Sequence, residues 1–199
     1  MIIVNCEQGT EKWFKARCGI PSASNFDKIV DTKGNPSKQR LPYAYRVAGE
    51  RVTGKQEETY QNSAMKRGTE MESEARQLYE MMNGVEVEQV GFCKTEGKAV
   101  YGASPDGLIL EDGEIEIKCP LLATHVSYLL KSEKPSKYFQ QVQGQLLVTG
   151  RKWCDFMSYY PGMKPLIVRV LPDKEFIKKL KVELELFCKE VDDIVEEIK

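Results

Sequence analysis

The chain has 199 residues, with 29 Lys plus Arg against 30 Asp plus Glu, a single His and 41% hydrophobic residues. That balance excludes a disordered or fibrous chain and suits one domain, 1–199, with a full core. A net charge of −1 argues against a passive nucleic-acid coat, which depends on many phosphate contacts, but leaves room for one local channel.

Ile2 to Asn5 reads as a short strand. Thr10 stands where it can cap a helix running through Trp13 and Phe14 to Arg17, with Gly19-Ile20-Pro21 as its stop. Ser22 is placed to cap a second helix to about Val30. The polar, basic stretch 31–40 reads as a loop, and 41–53 as helix. A long helix is expected over 58–82, with Met71, Ala75, Leu78 and Met82 as its core stripe and Asn83-Gly84 as its end.

Val85 to Phe92 and Ala99 to Ala103 have strand character. Leu108 to Leu110 and Glu114 to Lys118 read as a hairpin joined by a turn ending in Asp112-Gly113. Helices follow over 121–131 and 136–149, then strands over 153–160 and 166–171. Asp173 caps a last helix with Phe176, Leu180, Leu184, Phe187, Val191, Ile194 and Ile198 on one stripe. This order predicts an α/β fold, a central mixed sheet flanked by helices. There is no apolar run of about 18 residues for a membrane span. The N-terminal residues lack the basic and apolar regions of an export signal. The six cysteines form no C-x-x-C pair and read as reduced thiols in a cytoplasm. One His, His125, makes a zinc site improbable.

The informative segment is Ser104-Pro105-Asp106-Gly107 followed by Glu114-Ile115-Glu116-Ile117-Lys118. Side chains alternate along a strand, so Glu114, Glu116 and Lys118 share one face and Ile115 and Ile117 the other. Asp106 stands across the hairpin from Glu116. Two carboxylates and an amine can thus converge, and neighbouring acids repel unless a positive group sits between them. Mg²⁺ suits such oxygen donors and keeps water and phosphate in its shell. A hairpin with one solvated polar face would show the same alternation.

The chain also resembles a known family, the phage-lambda exonuclease group of YqaJ-like viral recombinases in the PD-(D/E)xK nuclease superfamily. The resemblance covers nearly the whole chain. Its motifs are Trp13…Arg17…Ser22-Ala23-Ser24, then Gly68-Thr69-Glu70-Met71-Glu72…Ala75-Arg76. Ser104-Pro105-Asp106-Gly107-Leu108, Glu116-Ile117-Lys118-Cys119-Pro120 and Tyr138…Gln141-Val142-Gln143 follow in order. It implies a restriction-endonuclease-like core and a 5′-to-3′ exonuclease acting on double-stranded DNA. The product would be 3′ single-stranded tails for phage-type recombination.

The resemblance further implies that Asp106, Glu116 and the Ile117 carbonyl bind Mg²⁺, with Mn²⁺ able to substitute. Glu72 would help hold a second ion, so one or two ions serve the site. Lys118 would handle the attacking water, with Gln141 and Tyr138 close by. Arg17, Ser24 and Ser104 would take a 5′-phosphate. The relatives' further pocket Arg has no clear counterpart, and Lys33 is the nearest cation. Met65 falls where relatives carry an apolar wedge. The implied setting is the cytoplasm of a phage's bacterial host, with a single-strand-annealing partner, no membrane, and a homotrimer or a monomer. A nicking endonuclease of the same family, and a DNA-binding module with a decayed site, stay open.

Overall fold

In the computed structural model, residues 1–56, 63–133 and 135–199 are described, the side chains of 63–66 and 69 excepted. The chain opens with β1 (Ile2–Val4) and α1 (Glu11–Arg17), whose first turn is closed by the Thr10 hydroxyl accepting from the Trp13 amide. Ser22 makes no side-chain cap, and the helix expected after it is a 3₁₀ turn over Ala23–Lys28. Its Phe26 is fully buried, and the Cα of Gly144 lies against that ring, so tertiary packing fixes this short turn.

Next come α2 (Arg40–Thr53) and α3 (Ser63–Asn83). Residues 58–62 of the expected long helix lie outside the described residues. Its buried stripe is Ala75 and Tyr79, with Leu78 partly buried, whereas Met82 is exposed. The stripe is rolled toward Tyr79 because Tyr79 reaches across the sheet, its hydroxyl donating to Asp155 over 2.6 Å.

The strand expected over 85–92 is two strands, β2 (Val87–Glu88) and β3 (Phe92–Lys94), and they belong to different sheets. The chain changes sheet at Gly91, where a Cβ would fall 2.2 Å from the Cys6 carbonyl oxygen. The strand expected over 99–103 shrinks to β4 (Gly102–Ala103). β5 (Gly107–Ile109) and β6 (Gly113–Lys118) form the hairpin. Its left-handed residue is Leu110, at φ 50°; Gly113 keeps φ negative and instead makes room for the Trp153 ring.

α4 (Leu122–Lys131), α5 (Phe139–Thr149), β7 (Trp153–Ser158), β8 (Leu166–Val170) and α6 (Lys174–Ile198) complete the chain. Asp173 caps α6 by accepting from the Phe176 amide at 3.0 Å. Of the α6 stripe, Phe176 through Val191 are buried and Ile194 packs at the edge, while Ile198 is exposed.

The main sheet has the order β2-β5-β6-β7-β8, with β6 and β7 parallel and the other pairs antiparallel. A second, antiparallel sheet runs β1-β3-β4. The parallel pair needs a long crossover, and α4 and α5 supply it. Residues of α3 cover Ile115 and Ile117 on one face, and α5 covers the other beside Phe156. β6 is therefore a central strand roofed on both sides. Among the described residues no helix is long and apolar enough to cross a membrane.

Candidate active site

The alternation along β6 holds, but its polar face is not solvated. Glu114 is 0% exposed and Glu116 1%, because α5 lies over both. Buried carboxylates need partners, and α5 supplies them one turn at a time. Gln141 and Gln145 donate to Glu116 Oε1 and Oε2, each over 2.6 Å, and Thr149 donates to Glu114 Oε2 over 2.7 Å. Spacing of four along a helix keeps these three donors on one stripe facing the strand. Lys118 also closes an ion pair with Glu116 Oε1.

Asp106 ends the turn before β5. Its amide donates to the Ile115 carbonyl at 3.1 Å, and its Oδ2 accepts the Ile117 amide at 2.6 Å. These two bonds straddle Glu116 and set the carboxylates side by side. Burial pushes the Asp106 carboxyl well above the usual range, and Glu116 and Glu72 push it further, against Lys118 and the Ile117 amide. Glu72 is raised by burial and by Glu116, although Arg76 pairs with it at 3.0 Å and pulls the other way. Burial opposes the Lys118 charge, but Glu116 and Asp106 outweigh it and hold the amine protonated.

The three acids thus crowd together beside Lys118 and Arg76, and the upward shifts of Asp106 and Glu72 express that crowding. Among the described residues, no group of three or more His, Cys, Asp or Glu is placed to hold a metal ion by itself. A hard cation held by one or two carboxylates, with water and phosphate completing its shell, fits this donor set; an all-protein zinc or calcium cage does not. The carboxylates of Asp106 and Glu116, with Glu72 near both, fit a hard cation of this kind.

A second cluster adjoins this one. Arg17 Nη1 donates to Ser104 Oγ at 3.1 Å, and Nη2 donates to Ser22 Oγ and Ser24 Oγ at 3.0 and 3.3 Å. The guanidinium lies 4.3 Å from the Trp13 ring centroid, and burial brings its pKa down to about 10. The Trp13 indole donates to Ser104 Oγ and the Gly91 carbonyl, while Gln8 donates to the Pro105 carbonyl. A cavity of about 650 Å³ runs from Arg17 and Ser24, past Lys28 and Arg46, to Glu72 and Arg76.

The structure thus brings together Asp106, Glu116, Ile117, Lys118, Glu72 and Gln141, with Tyr138 beside them: Lys118 Nζ stands 5.3 Å from the Tyr138 ring centroid. It also joins Arg17, Ser24 and Ser104. Lys33 is not brought in. Its loop packs on α6, where the Lys33 carbonyl accepts from Lys179 at 3.2 Å, and Lys33 is not among the cavity's lining. The Met65 side chain lies outside the described residues. Sequence reasoning gave Arg46 no role, read Ser22 as a helix cap and Trp13 as a motif residue only, and placed Gln145 on one helix face with Tyr138 and Gln141 without a partner. Trp13 lies four residues before Arg17 and Gln145 four after Gln141, and that shared-face spacing is the signal that points to them.

Residues 12–152 match the model of the YqaJ-like viral recombinase domain. The crystal structure of LHK-Exo in complex with dAMP is 36% identical, covers 96% of both chains and superposes with a TM-score of 0.87. A structure of this alkaline exonuclease from Laribacter hongkongensis is 35% identical over 95% of this chain and 96% of that one, with a TM-score of 0.86. A phage-related exonuclease from Haemophilus somnus shares the fold at 16% identity, 90% and 96% coverage and a TM-score of 0.70. An uncharacterized protein of Acanthamoeba polyphaga mimivirus is 26% identical over 76% of this chain, which spans 29% of that protein's length.

Proposed function

The chain belongs to the YqaJ-like viral recombinase family of nucleases, and on that premise we propose that it is a Mg²⁺-dependent exonuclease that digests one strand of duplex DNA from a 5′-phosphorylated end. The observation that carries this reading is the pairing of the two clusters through Ser104-Pro105-Asp106. Ser104 belongs to the Arg17 cluster and Asp106 to the carboxylates, and two residues of extended chain span at most about 7 Å.

An Arg fork ringed by hydroxyls suits a terminal phosphate, which accepts several charge-assisted hydrogen bonds. Arg17, Ser22, Ser24 and Ser104 would hold that end. Asp106, Glu116 and the Ile117 carbonyl would hold Mg²⁺, with Glu72 at a second ion; Mn²⁺ would serve in its place. When bound, the ion polarises a phosphate oxygen and makes a water more acidic. Lys118 stays a cation beside Glu116 and offsets charge that builds on the phosphate. The water oxygen bonds to phosphorus, the bond to the 3′ oxygen breaks, and the proton that the water gives up is balanced by one that the 3′ oxygen takes from solvent. The departing nucleotide keeps its 5′-phosphate and gains a 3′-hydroxyl, and the shortened strand carries a new 5′-phosphate that can dock on Arg17. LHK-Exo has been crystallised with dAMP, a nucleotide of the kind such a step releases.

The remaining 3′ strand would pass to a single-strand-annealing protein in the cytoplasm of a bacterial host. Residues 1–199 would act as one nuclease domain, assembled as a homotrimer in which enclosure of DNA makes up for the modest net charge.

The test compares 5′-phosphorylated, 5′-hydroxyl and covalently closed circular duplexes with Mg²⁺ and with chelator. Phosphorylated ends should be digested at least about tenfold faster than hydroxyl ends, as the loss of several charge-assisted bonds implies. Arg17→Ala should erase that preference, and Asp106→Ala should abolish digestion of both linear duplexes, while the circle stays intact throughout. Nicking of circles at a comparable rate would overturn the end-dependent reading in favour of a nicking endonuclease. No hydrolysis with any divalent ion would point to a DNA-binding module.

A further inference from the structure

Glu116 is the most heavily partnered acid of the site, and its two oxygens are served differently. Oε1 faces Lys118 and Gln141, two groups on the open side that can turn away. Lys118 has 27% of its side chain exposed. Oε2 has one described partner, Gln145, which is 1% exposed and lies within α5 rather than at its end. The Gln145 Oε1 atom is buried without a hydrogen-bond partner. A buried amide carries such an unmet acceptor only at a cost, so its geometry is set by the donor side alone, which is spent on Glu116. Flipping the amide would put two oxygens face to face.

We propose that Gln145 is a positioning residue for metal binding. From α5, which roofs the carboxylate face of β6, it anchors Glu116 Oε2, so that Oε1 is the oxygen turned toward the ion. The inference deepens the proposed function and rests on it. Without Gln145 the carboxylate can rotate about its last bond, and the metal-facing oxygen is no longer fixed. Outer partners of metal ligands typically contribute about 10- to 100-fold in metal affinity. Thr149, one turn further along the same stripe, serves Glu114 instead. It is the control that shares the helix face and donates to a neighbouring carboxylate without touching Glu116.

The experiment uses Gln145→Met, which keeps the length and packing of the side chain but removes the donor, beside Thr149→Val and the unaltered protein. Mg²⁺ binding is measured by calorimetry without DNA, and the Mg²⁺ midpoint and the DNA KM are measured in digestion of a 5′-phosphorylated duplex. The expected result is a weakening of Mg²⁺ binding and a rise in the midpoint of about tenfold or more for Gln145→Met. The DNA KM should stay within about twofold, and Thr149→Val should leave the midpoint unmoved. Should Gln145→Met fail to fold, Gln145→Asn replaces it; its amide falls one methylene short of Glu116 and should shift the midpoint in the same direction. A midpoint and isotherm unchanged in the folded variant, or a loss of rate that saturating Mg²⁺ leaves unrepaired, overturns the assignment. If the unaltered protein needs no divalent ion, the proposed function fails instead, and the two failures are thereby told apart.

Discussion

Glu114 shows how much of a side chain's chemistry depends on what lies over it. Read along β6, Glu114 is one of three polar residues on a shared face. In the fold it is fully buried, hydrogen-bonded on one oxygen to Thr149 and unpartnered on the other. Burial is the main cause that raises its pKa to about 8, with the neighbouring Glu116 adding to it. The folded chain therefore holds a proton that the unfolded chain releases near the ordinary 4.5. Its contribution to stability is complete below that value and declines as pH rises toward about 8, by a few kcal/mol in all. Glu114→Gln, neutral at every pH, should leave the melting temperature near pH 4.5 little changed and raise it at pH 8. Thermal melts in chelator across that range check this, and parallel curves for the two proteins would refute it. That Asp106, Glu116 and Lys118 meet was legible from the hairpin and its alternation, and that Arg17, Ser24 and Ser104 meet from the motifs that carry the resemblance. Gln145 was legible only as a neighbour of Gln141 on one helix face; its bond to a carboxylate 29 positions away in sequence was not. Lys33 was misplaced for the converse reason: its nearness in sequence to the Ser24 turn says nothing of the α6 contact that draws its loop away.

Among elements, the periodic ones were read well and the bent ones poorly. Five turns of α6 carry an apolar stripe that only a helix produces, and Phe176 to Val191 are buried accordingly. The run 85–92 alternates like a single strand, yet Gly91 lets the chain pass to another sheet, a consequence of the close Cys6 backbone that no local pattern reports. Gly113 teaches the same lesson. Its place after Asp112 suggests a turn glycine, but a Cβ there would sit 2.2 Å from the Trp153 ring across the parallel β6–β7 pair. Gly113→Ala should then lower stability by about 1–3 kcal/mol through overpacking. It should also shift the Trp153 fluorescence, both being readable in one denaturant titration. A stability change under about 0.5 kcal/mol would mean the ring yields easily.

At the scale of the whole molecule, α2 and α6 leave a groove of about 590 Å³ beside Leu41, Tyr45, Leu186 and Ile198, all of them exposed. Exposed apolar residues grouped in this way are typical of contact surfaces. The homotrimer proposed above predicts a light-scattering mass of three chains. It also predicts that Leu186→Glu lowers the mass, since a charge in an apolar contact is costly. A mass of one chain at all concentrations would remove the trimer from the account. The α/β class and its mixed sheet were readable from element order, whereas how copies meet is a property of surfaces that no periodicity encodes.

Lys118 is ion-paired with Glu116. An acidic centre stripped of its cation is ordinarily a source of repulsion that loosens a protein. Here the chain carries its own stand-in counter-charge on the next residue but one, seated on the oxygen that the ion would otherwise occupy. Under the proposed function, withdrawing magnesium should therefore idle this protein rather than damage it, leaving a dormant form that can be stored, diluted and woken by adding salt of the metal alone.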